Sequence, residues 1–201
     1  MAACDFKATP KLRPRRDCAP CTRHASICAP EAYYAADFQR LLAQNRRQNQ
    51  WIFDLATLPH CPGEKVYHST PDWLLARDLH RGADNRYLVV FTDPALFSIR
   101  DLRAHHVAVL KAVAAHVRRW LPEQEPENHA KYHSYFHYLP SVFQLHMHVS
   151  MRKSPESFRA HHMHHVLRNL ARDGAWYRDA LILCQNANPA KSHASDRNKL
   201  A

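Results

Sequence analysis

Histidines stand two apart at His146 and His148, inside the polar/apolar alternation Val142-Phe143-Gln144-Leu145-His146-Met147-His148-Val149-Ser150-Met151. An extended chain repeats its side-chain direction every second residue, so Val142, Gln144, His146, His148 and Ser150 share one face. Phe143, Leu145, Met147, Val149 and Met151 share the other. The apolar set is core and the polar set is offered to something polar. Two imidazoles on adjacent same-face positions can hold a phosphate between them, one attacking phosphorus and the other donating hydrogen bonds or a proton. A neutral imidazole serves as the nucleophile only if its second nitrogen is held as N–H by an acceptor, for which a backbone carbonyl suffices.

These residues need a sheet beneath them. Tyr132 to Leu139 and Val142 to Met151 read as the two strands flanking Pro140-Ser141. Val66-Tyr67, Trp73 to Ala76 and Tyr87 to Phe91 read as further strands, Trp51 to Leu55 as a short one and Ala180 to Cys184 as the last. Tyr34, Phe38, Leu41 and Leu42 give Glu31 to Asn49 a helical spacing. A longer helix is expected over Asp101 to Leu121, opened by Ser98 and Asp101 in capping-box positions and closed by Pro122. Its apolar positions Leu102, Val109, Val113, Val117 and Trp120 recur at helical steps. A third helix is expected from Pro155, with Ser154 as cap, through Phe158, His162, Val166 and Leu170. This order gives an α+β domain: a central antiparallel sheet with helices packed on one face.

The chain of 201 residues is long enough for one domain with a real core, and 46% of it is hydrophobic. A formal charge of +10 with the histidines neutral favours an anionic partner, a nucleotide or an RNA end. The longest apolar runs are a few residues, so neither a membrane span nor a signal-peptide core at the N-terminus is expected. The expected setting is intracellular. Residues 1–44 form a basic, mostly flexible arm leading into a short helix, residues 45–185 the folded domain and residues 186–201 a disordered tail. The six cysteines do not read as a disulfide framework. Cys18, Cys21, His24 and Cys28 are metal-capable but spaced too tightly for the usual zinc geometry, so reduced thiols are the preferred reading. His161 and His165 would lie one helical turn apart, a pair suited to adventitious metal binding and without an evident third ligand.

The central pattern resembles the histidine-triad signature, and His-Tyr-Leu-Pro-Ser ahead of Leu-His-Met-His resembles the scavenger mRNA-decapping enzymes. Trp51-Ile52-Phe53, Tyr87-Leu88-Val89-Val90, Ser98-Ile99-Arg100-Asp101-Leu102 and Arg159-Ala160-His161 fall in that family's order, over roughly residues 45 to 185.

The resemblance implies a histidine-triad fold and hydrolysis of the 5′ cap on short capped RNA or cap dinucleotide, releasing 7-methylguanosine monophosphate. It implies His146 as nucleophile through a covalent nucleotidyl-histidine, with His148 contacting the phosphate and assisting the leaving group. Gln144 stands where the family usually has histidine; it can donate and accept hydrogen bonds but carries no proton, so it either orients its neighbours or lowers activity. His137, Ser141 and Arg159 match phosphate-contacting positions, Val142 replaces a tyrosine, and Tyr87 is a further phosphate hydrogen-bond donor. Trp51 matches the tryptophan that stacks on the cationic base, an interaction worth roughly 1–2 kcal/mol when desolvated. Asp78-Leu79 resembles the family's pair near the cap, with His80 in place of lysine, and Glu64 is the nearest carboxylate for the guanine edge.

No metal or other cofactor is implied, and a homodimer in the cytoplasm, with the nucleus as a second location, is. Two other functions fit the same residues. One is a general histidine-triad hydrolase of dinucleoside polyphosphates, which needs only the phosphate site; the other is a cap-binding protein whose catalysis Gln144 and Val142 have weakened.

Overall fold

A computed structural model describes residues 25–57, 65–78, 86–127, 131–151 and 160–185. Among them, β2 (Val66–Ser69), β3 (Trp73–Arg77), β4 (Arg86–Phe91), β5 (His133–His137), β6 (His146–Ser150) and β7 (Ala160–His162) form an antiparallel sheet in the order β2-β3-β4-β6-β5-β7. The expected α+β architecture is what the chain adopts. β1 (Ala25–Cys28) pairs separately with β8 (Ile182–Gln185). Residues read from sequence as part of the basic arm therefore contribute a strand, and Tyr33 contributes to the core at 2% exposure.

The sheet is buried on one side by α4 (Val107–Gln124) and α5 (Met163–Arg172). Leu110, Val113, Val117 and Leu121 make the buried stripe of α4, and Met163, Val166 and Leu170 that of α5. They meet Leu75, Val89, Phe91, Phe136, Met147 and Val149, the inward set of each strand. That alternation is the one read from the sequence, and it fixes which way the histidines of β6 point.

Several boundaries differ from expectation. The segment from Trp51 is helix α3 (Gln50–Thr57), not a strand. Ile52 and Leu55 lie three apart and are both buried against Leu74, Ala76, Leu88 and Val90, so a one-sided helix satisfies the pattern that a five-residue window reads as a strand. This puts a helix on the second face of the sheet as well. α2 (Ala36–Gln48) precedes α3, and α1 (Pro30–Tyr34) precedes α2.

Ser98 and Asp101 do form a capping box, but on a single 3-10 turn, Ile99–Asp101. A second such turn, Ala104–His106, intervenes before α4. Pro122 lies inside α4 rather than ending it. Proline forfeits only its own N–H bond, the buried Leu121 anchors the last turn, and Glu125 N–H still reaches the Leu121 carbonyl at 2.8 Å. The helix expected from Pro155 begins instead at Met163, because residues 160–162 pair with β5 as an edge strand.

Arg100, fully buried, shows why the Ser98 to Leu102 word is structural. It donates to the Tyr138 hydroxyl at 3.1 Å, to the Tyr177 carbonyl at 3.0 Å and to the Ala180 carbonyl, tying the first 3-10 turn to β5 and to α6 (Trp176–Asp179). A buried guanidinium is tolerated only when its donors are paired in this way. Among the described residues no helix is long and apolar enough to cross a membrane.

Candidate active site

On the open face of the sheet, β6 lies between β4 and β5. Val90 faces His146 across the first pair, while Leu88 and Tyr135 flank His148. Directly opposed residues of antiparallel strands share a face, so the two histidines stand on the same side as the apolar floor under α3. His146 is 9% exposed and its Nδ1 lies 2.7 Å from the Gln144 carbonyl. A carbonyl accepts only, so this contact requires the proton on Nδ1 and leaves Nε2 with its lone pair. Burial pushes the His146 pKa below the usual histidine value, a shift opposed by the Gln144 carbonyl and the negative charge of Asp78. The shift favours the neutral ring, the form in which Nε2 can act as a nucleophile.

His148 sits next to it, ring centroids 5.1 Å apart. It stacks on Tyr135 at 5.3 Å and 19°, and His137 approaches it to 4.6 Å. Asp78, 6% exposed, brings Oδ2 to 3.9 Å from His148 Nδ1. That separation is too long for a hydrogen bond and acts as a charge facing the imidazole. The fold thus gathers His137, His146, His148 and Asp78 from two strands, β5 and β6, and the residue following β3.

Gln144 is not on the strand that carries the two histidines. It precedes β6, is 1% exposed, and its amide nitrogen donates to the carbonyls of Phe91 and Asp93, the latter at 3.0 Å. Its side chain braces the chain leaving β4 while its own carbonyl holds His146. Of the two roles the sequence left open for it, orientation is the one that hydrogen bonds of this kind can serve.

Ser141 is exposed in the loop between β5 and β6, and its carbonyl accepts from the Asn45 side-chain amide at 2.9 Å. Asn45 Oδ1 accepts from Phe143 N–H at 3.0 Å, so one α2 side chain clamps both sides of Val142. Val142 itself packs against the α3 cluster. Trp51, half-buried, packs against that same cluster and so lies on the histidine face of the sheet.

Tyr87 requires correction. Its partner across the sheet is Val149, an inward residue, and its hydroxyl donates to Glu125 at 2.6 Å among the rings of Tyr67 and Trp120. Burial and that carboxylate raise its pKa. Tyr87 is a core residue on the opposite face from the histidines.

The His161–His165 pair is also not one helical turn, since His161 lies in β7 and only His165 lies in α5. His161 turns to the helix side, with its ring 6.4 Å from Tyr138 and 6.2 Å from Tyr177. No group of three or more metal-capable residues occurs among the described residues. Leu79, Arg159, Glu64, His80, Cys18, Cys21 and His24 lie outside the described residues.

Two contributors escaped the sequence. Tyr135 was legible in principle, since His133, Tyr135 and His137 alternate on β5 exactly as the β6 histidines do. Asn45 carried no signal, because its partners are almost a hundred positions away.

The family described as "Scavenger mRNA decapping enzyme C-term binding" matches residues 50–164, more than half of the chain. The chain belongs to this family. The matched segment opens with α3 and closes at the start of α5, so the scavenger decapping domain takes in Trp51, Asp78 and both histidines of β6. The chain is also similar to the m7GpppX diphosphatase of Schizosaccharomyces pombe, 28% identical over 134 residues that make up 61% of this chain and 43% of the relative. It therefore spans less than half the length of that protein.

Proposed function

We propose that the protein is a scavenger-type decapping pyrophosphatase that cleaves the 7-methylguanosine cap of cap dinucleotide or short capped RNA. The observation that carries this reading is the His146 Nδ1 contact to the Gln144 carbonyl at 2.7 Å, which leaves Nε2 as the nucleophile beside His148. Membership of the scavenger decapping family supports the substrate class.

Nε2 attacks the phosphorus bonded to 7-methylguanosine, the P–N bond forms, and the bond to the bridging oxygen of the next phosphate breaks. The departing nucleotide diphosphate takes a proton from His148. Water then attacks the phosphorus, giving its proton to His148, as the P–N bond breaks with its electron pair returning to His146 Nε2 and 7-methylguanosine monophosphate is released. The Nδ1–H bond persists throughout, so positive charge developing on the ring is spread towards the Gln144 carbonyl.

Trp51 stacks on the cationic base, and Ser141, His137 and Arg159 contact the phosphates. The working unit is a homodimer in the cytoplasm or nucleus, where capped fragments are found.

The test is incubation with methylated and unmethylated cap dinucleotide in the presence of chelator, beside His146→Asn. Release of 7-methylguanosine monophosphate that His146→Asn abolishes is the expected result. Equal turnover of both dinucleotides would reassign the protein as a general dinucleoside polyphosphate hydrolase. Cap binding without turnover would make it a binder.

A further inference from the structure

From the catalytic histidines a chain of aromatic rings leads off the sheet. His148 stacks on Tyr135 at 5.3 Å, Tyr135 meets His162 of the edge strand at 6.2 Å, and His162 meets His164 at 5.7 Å and His165 at 6.1 Å. α5 starts there. Its buried stripe is Met163, Val166 and Leu170, while its exposed positions are His164, His165, Arg168, Ala171 and Arg172. Apart from Ala171, its fully exposed positions are all histidine or arginine, and the nearest carboxylate along the chain is Asp173 at its C-cap. Among the described residues neither Arg168 nor Arg172 is engaged in an ion pair.

An amphipathic helix needs a polar outer face but not a face of one sign. Clustered like charge costs stability through repulsion; the His165 pKa is lowered by burial first and further by His164 and Arg168. A ribbon of flat rings passing into arginines is the chemistry that binds single-stranded nucleic acid: bases stack on the rings and phosphates meet the cations. At 1.5 Å rise per residue, Arg172 lies about 12 Å along the helix from His164.

We infer that the outer face of α5, entered through His162, carries the RNA body that follows the cap, so that a single strand leaving the phosphate site runs across β7 and along His164, His165, Arg168 and Arg172. The inference rests on the decapping reading for the origin of that strand, but the surface can be tested without it.

The experiment compares the wild-type chain with Arg168→Ala/Arg172→Ala. An uncapped, labelled single-stranded RNA octamer is titrated by fluorescence anisotropy at several salt concentrations, and decapping is measured on cap dinucleotide and on a capped octamer. The double variant should bind the octamer roughly tenfold more weakly, with a log–log salt slope smaller by about 1.4, two single-strand phosphate contacts. Its KM should rise for the capped octamer and stay unchanged for the dinucleotide. Both arginines are exposed, so folding is not at stake.

Unchanged octamer affinity and salt slope would overturn the inference whatever the decapping result. An equal effect on duplex RNA would overturn it too, by making the face a general polyanion patch. If neither capped substrate is hydrolysed yet the octamer loses affinity as expected, the decapping reading fails and the RNA surface stands.

Discussion

Replacing Gln144 by leucine separates bracing from chemistry at the triad position where the family usually has histidine. The side chain is 1% exposed, and its nitrogen donates to Phe91 and Asp93 carbonyls. Leucine withdraws both donors. The Asp93 carbonyl keeps a second donor, Leu96 N–H at 3.1 Å, so its loss is the ordinary net value of about 1 kcal/mol. The Phe91 carbonyl sits at the buried end of β4, where losing a partner costs roughly 1–3 kcal/mol. Against this, Gln144 Oε1 is buried without a partner among the described residues, and removing it returns roughly 1 kcal/mol.

The net expectation is destabilisation by about 1–3 kcal/mol, read as a lower midpoint in urea with unchanged slope. The acceptor that sets the His146 tautomer is the main-chain carbonyl, which leucine retains. Below the unfolding transition, kcat/KM on cap dinucleotide should therefore stay within roughly tenfold of wild type, the loss attributable to small displacement of the loop. A variant that is as stable as wild type but slower by about a thousandfold would refute this reasoning, because it would make the Gln144 side chain a participant in proton transfer or phosphate binding.

Three other outcomes follow from the same geometry. Because burial holds the His146 pKa below 6.5, the acid limb of kcat/KM against pH should fall below that value; Asp78→Asn removes a charge that raises this pKa, so the limb should move lower still, and an unmoved or raised limb would refute the coupling. Burial, helped by the charge of Arg100, pushes the His161 imidazole down to about 4 from 6.5, so the unfolded chain takes up this proton first as pH falls. Stability from this group is intact above pH 6.5 and declines towards pH 4 and just below, by roughly 3 kcal/mol in all; urea midpoints of His161→Leu should show a correspondingly shallower acid decline. Trp51→Ala should raise KM for the methylated dinucleotide about tenfold and leave the unmethylated one nearly unchanged, with Trp51→Phe in between, since the stacking term depends on the charge of the base; equal effects on both would mean that Trp51 only packs.

Period-two alternation made β6 legible with its two faces, and the faces alone point His146 and His148 away from the core Met147 and Val149. The words around that strand placed the chain in its family, and the stripes of α4 and the later part of α5 were readable because helical spacing is local. Local spacing failed where two patterns coincide: Ile52 and Leu55 suit a short strand or one helical face, and only the floor of Leu74, Ala76, Leu88 and Val90 selects the helix. Tyr87 failed for the same reason, since its alternation says that it faces differently from Leu88 but not which face carries the histidines; the register with β6 decides that.

Sequence by itself therefore determined the residue types of the site, its strand and its family, because these follow from chemistry and from period along the chain. Tertiary structure alone decided that the Gln144 side chain braces the chain leaving β4, that Asn45 clamps the Ser141 loop, that Asp78 faces His148, and that a basic helix begins where the ring chain leaves the sheet. Each of these is a contact between segments tens of residues apart, and no local periodicity encodes which of the distant polar groups a side chain will meet.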